Sequence, residues 1–244
     1  MATPPALEVD PGIRRVQLFL AARDGCRAEL GEATLAAAAG VTERAGPAVR
    51  VITMVELDED PFPASNPRAR PFEVVLEVQA AGVPTESLVA TLEGVPTGLG
   101  ALAQLDLSAV VVGAPWFAVP CPPTPLRYLY LMRRKAGTTH EQYLDHYVTR
   151  HSLFGIATPG IAGYTQVHAD LPASAGAAHR LGVGGWAVDS VSELHMRSLE
   201  EFFAAVSTWS GASEAPLDEL NFVDRANSVS CCTTSHVVAP GAGD

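Results

Sequence analysis

"LRYLYLMRRKAGTTHEQYLDHYVTRHSLFG", residues 126–155, contains the patterns of a strand and of a helix in close succession. Residues 126–135 are rich in leucine and tyrosine and predict a strand. The threonine pair at 138–139, followed by a glutamate and a glutamine, predicts a capping box, and the helix that it begins continues to about Phe154. Because a strand and a helix are shared by many folds, the elements on either side decide the architecture.

The segments after this helix complete a βαββαβ order. Alternating apolar residues predict strands over 161–169 and 185–196. Residues 198–209 have the periodicity of an amphipathic helix, and residues 228–238 predict a last strand. The stretch 168–182, rich in glycine, alanine and serine, is predicted to be a loop. This order of elements is that of a ferredoxin-like plait, a four-stranded antiparallel sheet with both helices on one face.

The first half of the chain repeats the pattern of the second half. Residues 15–25 align with residues 127–137, and residues 72–92 align with residues 186–206. Similar segments that recur in the same order indicate internal duplication. The proline-rich segment at 120–125 is predicted to join the two copies.

This duplication predicts two domains, a degenerate ferredoxin-like half at 1–120 and a half at 121–244 that carries the site. Each plait leaves one sheet face without helices, and the sheet of the other plait can cover it. The predicted fold class is therefore α+β: two tandem ferredoxin-like βαββαβ plaits whose antiparallel sheets face each other as an α/β-barrel. Such a barrel leaves open a further association into a homodimer or a higher homo-oligomer.

The composition excludes several classes of function. Among 244 residues, 16 are basic and 27 acidic, and the net charge of -11 opposes binding to nucleic acid or to an anionic membrane. The first residues lack the features of a signal peptide, and no apolar stretch is long enough to span a bilayer, so we expect a soluble cytoplasmic protein. The four cysteines lack metal-ligand spacing and are expected to be reduced thiols, with no metal bound. The Ala-, Gly- and Pro-rich composition suggests a bacterial source.

Helical spacing separates the three histidines of the helix. Tyr143, Tyr147 and His151 recur at every fourth position and form one stripe that must face the sheet. His140 lies near the cap on this stripe, whereas His146 lies on the solvent side and is predicted to be a surface residue. His151 is therefore the main candidate for acid–base chemistry, and Tyr143 and Tyr147 are candidates for substrate binding. A hydrogen-bonded structural role is the alternative for this histidine.

The predicted strand at 185–196 carries a second group of ionisable side chains. Leu194 continues into the following helix, so its face is assigned to the helix side. Asp189, Glu193 and His195 lie on the other face and are predicted to point into the barrel. Two carboxylates and an imidazole in a partly apolar chamber suit general acid–base catalysis, because burial raises the pKa of a carboxyl group. The alternative is that this edge of the sheet is wet and its side chains are solvated, and the sequence favours the two interpretations equally.

The predicted strand at 161–169 places Tyr164, Gln166 and His168 on one face. Its other face is more apolar, which favours the polar face pointing toward the barrel or its rim. Tyr164 is a candidate catalytic residue, and His168 is a candidate for substrate binding. Trp186, which lies before the following strand, is also a candidate for substrate binding.

The second half of the sequence resembles a known family. Residues 133–155 resemble the opening of EthD-like domains, with a basic strand end, a capped helix and a histidine near the helix end. Residues 163–170 look like the second strand of these domains, and residues 189–196 look like their third. Residues 217–228 are similar to their acidic, phenylalanine-containing segment before the last strand. The resemblance covers residues 126–236, so the second half is expected to be EthD-like, whereas the first half matches only as a plait.

The resemblance implies a dimeric α/β-barrel fold with a pocket between the sheet and the first helix, near His151 and Tyr164. Asp218, Glu219 and Phe222 fall on the acidic segment of the family, and Phe222 is a candidate for substrate binding. Family functions are heterogeneous and include accessory roles in degradation and polyketide-type dehydration or decarboxylation. Relatives in the same superfamily include lactone isomerases, cofactor-free monooxygenases and haem enzymes, so the fold does not name the reaction.

We expect a cofactor-independent acid–base enzyme, a lyase, dehydratase or isomerase, acting on a small, largely apolar carbonyl or phenolic metabolite in catabolism or polyketide-type metabolism. His151 is the predicted main base or acid. Tyr164, Asp189, Glu193 and His195 are candidates for orienting it or for donating the second proton.

Two alternatives stay open. In the first, the protein is a haem-binding barrel with His151, His168 or His195 as the axial ligand. In the second, it is a non-catalytic accessory protein that binds a small molecule, since the sequence has no nucleophile elbow, P-loop or dinucleotide-binding glycine pattern.

Overall fold

The computed structural model describes residues 12–58 and 72–238. Within these residues, the strands pair in an antiparallel manner and close into one barrel. The strands are β1 (Ile13–Ala21), β2 (Arg50–Glu56), β3 (Phe72–Ala81), β4 (Ala109–Val119), β5 (Leu126–Met132), β6 (Gly163–Ala169), β7 (Ser190–Met196) and β8 (Val229–Val238).

Helices cover the outside of the barrel. None of the described helices is long and apolar enough to cross a membrane. A π-helical turn at Tyr147–His151 joins the fourth and fifth helices, and a short 3-10 turn at Arg225–Asn227 precedes β8. The helices are α1 (Arg27–Ala45), α2 (Thr85–Thr91), α3 (Val95–Leu99), α4 (His140–His146), α5 (Ser152–Ala157), α6 (Leu171–Leu181), α7 (Leu199–Val206) and α8 (Gly211–Glu219).

The strand order confirms the predicted fold class. Around the barrel the order is β1-β3-β2-β8-β5-β7-β6-β4. The first four strands thus follow the order β4-β1-β3-β2, and the last four follow the equivalent order β8-β5-β7-β6, which is that of a ferredoxin-like plait. The two sheets join edge to edge where β2 pairs with β8 and β4 pairs with β6. A division of the chain into halves at residue 120 stays our proposal.

The inward face of the barrel has an apolar zone and a polar zone. Phe19, Met54, Leu129 and Val191 belong to the apolar zone. The polar zone contains ionic side chains that are almost completely buried, and the predicted inward direction of Glu193 and His195 agrees with their place in it. Its charged and titratable members are Arg15, Glu77, Arg127, Glu193 and His195.

The predicted direction of the β6 side chains is wrong. Thr165 faces the barrel interior, where its hydroxyl lies 3.1 Å from Nε2 of His195. Tyr164, Gln166 and His168 therefore face the helix layer instead. The physical reason is that most of the barrel interior is apolar, so the more apolar face of β6 enters it and Val167 packs in the apolar zone.

The predicted loop at 168–182 is mostly the helix α6. Asp170 caps this helix, since its carboxylate accepts a hydrogen bond from the backbone N–H of Ala173 at 2.9 Å. Gly182 ends the helix in a left-handed conformation. Alanine has the highest helix propensity of all residues, so the capped, alanine-rich segment forms a helix despite its small side chains.

Candidate active site

A cavity of about 350 Å³ lies between the helix-facing side of the second sheet and the helices α5, α7 and α8. Most of its wall is apolar, and several aromatic rings contribute to it. Polar atoms reach it from a histidine, three tyrosines, a serine, a threonine and a glutamate. The lining residues are Tyr128, Tyr130, Met132, His151, Phe154, Gly155, Thr158, Tyr164, Ser192, Leu194, Phe202, Phe203, Val206, Trp209, Gly211, Ala212, Ala215, Pro216 and Glu219.

The π-helical turn presents His151 to this cavity. The predicted single helix is instead α4, the π turn and α5, and such turns insert one extra residue into a helix, often at functional sites. Tyr143 and Tyr147 are completely buried and His151 nearly so, as their common stripe predicts. The hydroxyl of Tyr143 bonds to Oγ of Ser190 on β7 at 2.6 Å, so the stripe faces the sheet.

His151 forms a hydrogen-bonded dyad with Asp218. Its Nδ1 lies 2.9 Å from Oδ2 of Asp218, at the end of α8. The same carboxylate lies 3.0 Å from Nε2 of His146, whose ring stacks on Phe222 with the two centroids 4.6 Å apart. His146 is therefore a half-buried partner of the dyad, and its predicted place as a surface residue is wrong. Nε2 of His151 has no hydrogen-bond partner among the described residues, so this nitrogen is left to the cavity.

The surroundings of the dyad keep His151 neutral and Asp218 charged. Burial lowers the pKa of His151, and the hydrogen bond with Asp218 offsets only part of this effect. Burial alone would raise the pKa of Asp218, but the hydrogen bonds from His151 and His146 lower it. At neutral pH, His151 therefore donates its Nδ1 proton to the carboxylate and has a basic Nε2.

Glu219, next to Asp218 in the sequence, is a second titratable group of the cavity. Burial raises its pKa to about 7, with Arg225 opposing the rise and Asp218 adding to it. Nε of Arg225 lies 3.4 Å from Oε2 of Glu219. This raised pKa keeps a proton on Glu219 closer to neutral pH than on an ordinary glutamate, so the carboxyl group can donate one.

Tyr164 belongs to a chain of hydrogen bonds along the wall of the cavity. Nε2 of Gln166 donates to its hydroxyl at 2.7 Å, and this hydroxyl donates to that of Tyr147 at 3.4 Å. Nε2 of His168 lies 2.9 Å from Oε1 of Gln166, so His168 supports the chain from behind the cavity. Gly155 packs directly on the Tyr164 ring, where a Cβ atom would collide with it. These contacts fix Tyr164 as a positioned hydroxyl group.

Glu193 and His195 lie on the opposite face of β7 from this cavity. Both oxygens of Glu193 lie 2.8 Å from Nη1 of Arg15, and one accepts from Nε2 of Gln17 at 2.7 Å. The pKa of Glu193 is lowered although burial alone would raise it, because Arg15 and Arg127 stabilise the carboxylate. Burial lowers the pKa of His195 to about 4. The wet sheet edge considered for this strand is thus wrong, since Glu193 is inaccessible to solvent.

The other predicted residues also lie apart from His151. Asp189 is buried at the end of the barrel, where it binds Nη1 of Arg134 at 2.6 Å and Nδ1 of His140 at 2.8 Å. The ring of Trp186 packs on Phe72, with the centroids 5.3 Å apart. The predicted grouping of Asp189, Glu193 and His195 with His151 in one pocket is therefore corrected: Glu193 and His195 lie on the other face of the sheet, and Asp189 lies at its end.

The sequence did not identify Asp218 of the dyad, or Glu219 and Tyr130 of the cavity, as site residues. Asp218 and Glu219 fall in the acidic segment of the family resemblance, and that segment is the signal that could have identified them. Tyr130 alternates with inward-facing leucines on β5, and the alternation could have placed it on the helix side. Burial raises the pKa of Tyr130, so its hydroxyl stays protonated.

Comparisons with known proteins agree with the fold. The EthD domain family model matches residues 135–226. The crystal structure of an anthrone oxidase-like protein is similar with a TM-score of 0.62 and 11% identity, over 96% of this chain and 95% of that chain. The crystal structure of a mutant chlorite dismutase from Candidatus Nitrospira defluvii, in complex with cyanide, is similar with a TM-score of 0.50 and 12% identity. The match covers 97% of this chain and 95% of that chain. No curated protein matches the sequence significantly. The match to the EthD domain family thus covers residues 135–226, in the second half of a closed antiparallel barrel.

Proposed function

We propose that the protein is a cofactor-independent acid–base enzyme that acts on a small, uncharged aromatic ketone or phenol. One observation carries the proposal: a neutral His151 is held at Nδ1 by Asp218 and is left with Nε2 free toward an apolar cavity. A base fixed by a carboxylate in this way is typical of enzymes that remove protons from weak acids.

The reaction begins when Nε2 of His151 takes a proton from a phenol or from the carbon next to a carbonyl group. The electron pair of the broken C–H bond forms the C=C bond of an enolate, and Asp218 stabilises the imidazolium ion. Glu219 supplies a proton to the enolate oxygen or to a leaving hydroxyl group. Return of a proton at another carbon gives an isomer, whereas loss of the hydroxyl group as water gives a dehydrated product.

The wall of the cavity selects for uncharged, planar molecules. Tyr128, Phe154, Phe202 and Trp209 provide aromatic faces. No lysine or arginine of the described residues lines the cavity, and the Glu219 carboxyl group disfavours an anionic ligand. A volume of about 350 Å³ lies in the lower part of the range for small-molecule pockets, roughly 300–1,000 Å³, so the substrate is compact.

The haem alternative fits this site poorly. His151, with one nitrogen on a carboxylate and the other directed to a cavity, has the form of an axial ligand. The cavity is nevertheless small for a porphyrin, and the described residues around it offer no cation for the propionate groups. His168 is bonded to Gln166, and His195 lies inside the barrel near Thr165. We therefore assign no step to haem.

Proton exchange on aromatic ketones tests the proposal, with 2-tetralone and anthrone as probes in D₂O under argon. We expect the protein to accelerate deuterium incorporation at C1 and C3 of 2-tetralone and at C10 of anthrone, as followed by proton NMR. Ala215→Phe fills the cavity and is expected to abolish the acceleration, whereas Ala39→Phe, on the exposed side of α1, is the matched control. Exchange that the filled cavity leaves unchanged would contradict the proposal, and binding of the ketone without exchange would establish the non-catalytic alternative.

The exchange rate is expected to have a bell-shaped pH dependence. It falls below the pKa of His151, which burial holds under the ordinary value of 6.5, because the protonated ring is no base. It also falls as the pH rises through about 7, because Glu219 then loses the proton it donates. Glu219→Gln is expected to remove the alkaline limb and to keep the acidic one. An alkaline limb that persists in this variant would show that another group donates.

A further inference from the structure

A second cavity lies at the end of the barrel where β5 ends, and it shares no lining residue with the candidate active site. Its volume is about 300 Å³. It is formed by the turn at 133–138, by Ala187 and Asp189 before β7, and by Asp224 before β8. In contrast to the first cavity, its wall is rich in charged groups.

Two cations of this cavity have no carboxylate partner among the described residues. The guanidinium group of Arg133 lies over the ring of Trp186, 5.8 Å from its centroid. Nζ of Lys135, the single lysine of the sequence, donates to the backbone carbonyl of Leu220 at 2.8 Å. Both cations are held in place by neutral groups, which leaves their charges available to a ligand.

The acidic residues of the cavity offset this positive charge only in part. Asp189 is fully used, since it binds the guanidinium and backbone N–H of Arg134 at 2.6 and 2.8 Å and Nδ1 of His140 at 2.8 Å. Asp224 accepts from Nδ2 of Asn227 at 2.8 Å and has no cation within ion-pair distance among the described residues. Three cations therefore face two carboxylates, a local positive charge in a protein of net charge -11.

The turn also offers uncharged donors. The N–H of Thr138 donates to the carbonyl of Lys135 at 3.2 Å, and Gly137 closes the turn with a φ of 85°. In the part of the chain that the structure describes, neither the N–H groups of Ala136 and Gly137 nor the Thr138 hydroxyl has a hydrogen-bond partner. Consecutive free N–H groups in a turn form a concave site for an anion.

We propose that this cavity binds a small oxyanion, a phosphate or carboxylate group, between Arg133, Lys135 and the N–H groups of the turn. Arginine binds such groups through two parallel hydrogen bonds, and lysine adds a point charge. Arg134 is already engaged by Asp189 and shapes the wall of the cavity. This site is independent of the proposed enzymatic function, because none of its residues reaches the first cavity.

The single lysine permits a direct test with the full chain. Reductive methylation with ¹³C-formaldehyde labels Lys135 and the α-amine and keeps the positive charge. Sodium phosphate and sodium succinate are then titrated separately at constant ionic strength. We expect a saturable shift of the Lys135 signal with at least one anion, and the anion that binds identifies the chemical group. The absence of a saturable shift with both anions would overturn the proposal.

Variants distinguish a built site from general charge attraction. Arg133→Gln is expected to weaken binding about tenfold, the factor contributed by one charge-assisted hydrogen bond. Asp224→Asn is expected to strengthen it several-fold, because it removes the carboxylate that no cation neutralises. Arg44→Gln is the matched control, since Arg44 donates to the carbonyl of Thr91 on the opposite half of the barrel. Equal affinities for Arg133→Gln and Arg44→Gln would refute the site.

A further variant covers the case in which Arg133→Gln does not fold. Lys135 is exposed, so Lys135→Gln is expected to fold normally. Binding of phosphate or succinate to this variant is measured, without labelling, as the rise in its unfolding temperature when the anion is added. A stabilisation by the anion that is as large as in the wild type would overturn the role of Lys135 and, with it, the proposed site.

Discussion

Replacing His151 with alanine is expected to slow deuterium exchange on 2-tetralone by about 100- to 10,000-fold, the range in which a positioned acid–base group accelerates a reaction. The physical reason is that Nε2 of His151 is the basic atom left free toward the cavity by the hydrogen bond of Nδ1 to Asp218. Asp218→Asn is expected to cost at least about tenfold, because an amide can donate to Nδ1 and favour the wrong tautomer.

Two controls separate chemistry from folding in this experiment. His179→Ala removes an exposed imidazole on α6 and is expected to exchange at the wild-type rate. Free imidazole added to His151→Ala is expected to restore part of the rate, since the substitution leaves a space of the same shape. A rate for His151→Ala within about twofold of the wild type would refute the assignment, provided that its unfolding curve shows a folded protein.

The sequence was sufficient to predict the barrel because duplication and hydrophobic period agree. Residues 15–25 and 127–137 contain the equivalent strands β1 and β5 of the two repeats, and each strand alternates between a helix-facing and an inward-facing side. The alternation of side chains along β7 placed Glu193 inside the barrel and Leu194 outside it. The period of helices placed Tyr143, Tyr147 and His151 on one buried stripe. Each of these predictions needs only local spacing, which a sequence contains in full.

The composition of the candidate site could not be predicted to the same extent. Asp218 reaches His151 from a different helix, so the dyad depends on how α8 packs against the π-helical turn. Spacing placed Glu193 inside the barrel and His151 on the helix side of the sheet, but it does not show whether a pocket joins the two sides. The predicted direction of Tyr164 was wrong because it assumed a polar barrel interior, whereas Val167 on the other face of β6 packs in the apolar zone of the barrel.

The ionic side chains inside the barrel stabilise the fold and take no part in the proposed reaction. Removing one of them is therefore expected to lower stability. Glu193 binds Arg15 at 2.8 Å and lies 3.6 Å from Nη1 of Arg127, while Glu77 lies 3.3 Å from the same atom of Arg127. Two arginines and two glutamates balance each other in a space that solvent does not reach. His195, whose pKa is lowered to about 4 by burial, stays neutral at pH 7 and leaves this balance unchanged.

Glu193→Leu is therefore expected to lower the free energy of unfolding by about 3–5 kcal/mol, because it leaves two buried arginines with one counter-charge. Urea unfolding followed by circular dichroism measures this loss. Glu93→Leu, in the exposed ion pair with Arg180, is the control and should change stability by no more than about 1 kcal/mol. Adding Arg15→Leu to Glu193→Leu restores the charge balance, so the double variant should be more stable than Glu193→Leu alone. A double variant that is less stable than the single one would mean that hydrogen bonds to Gln79 and Gln17, and not charge balance, hold these strands together.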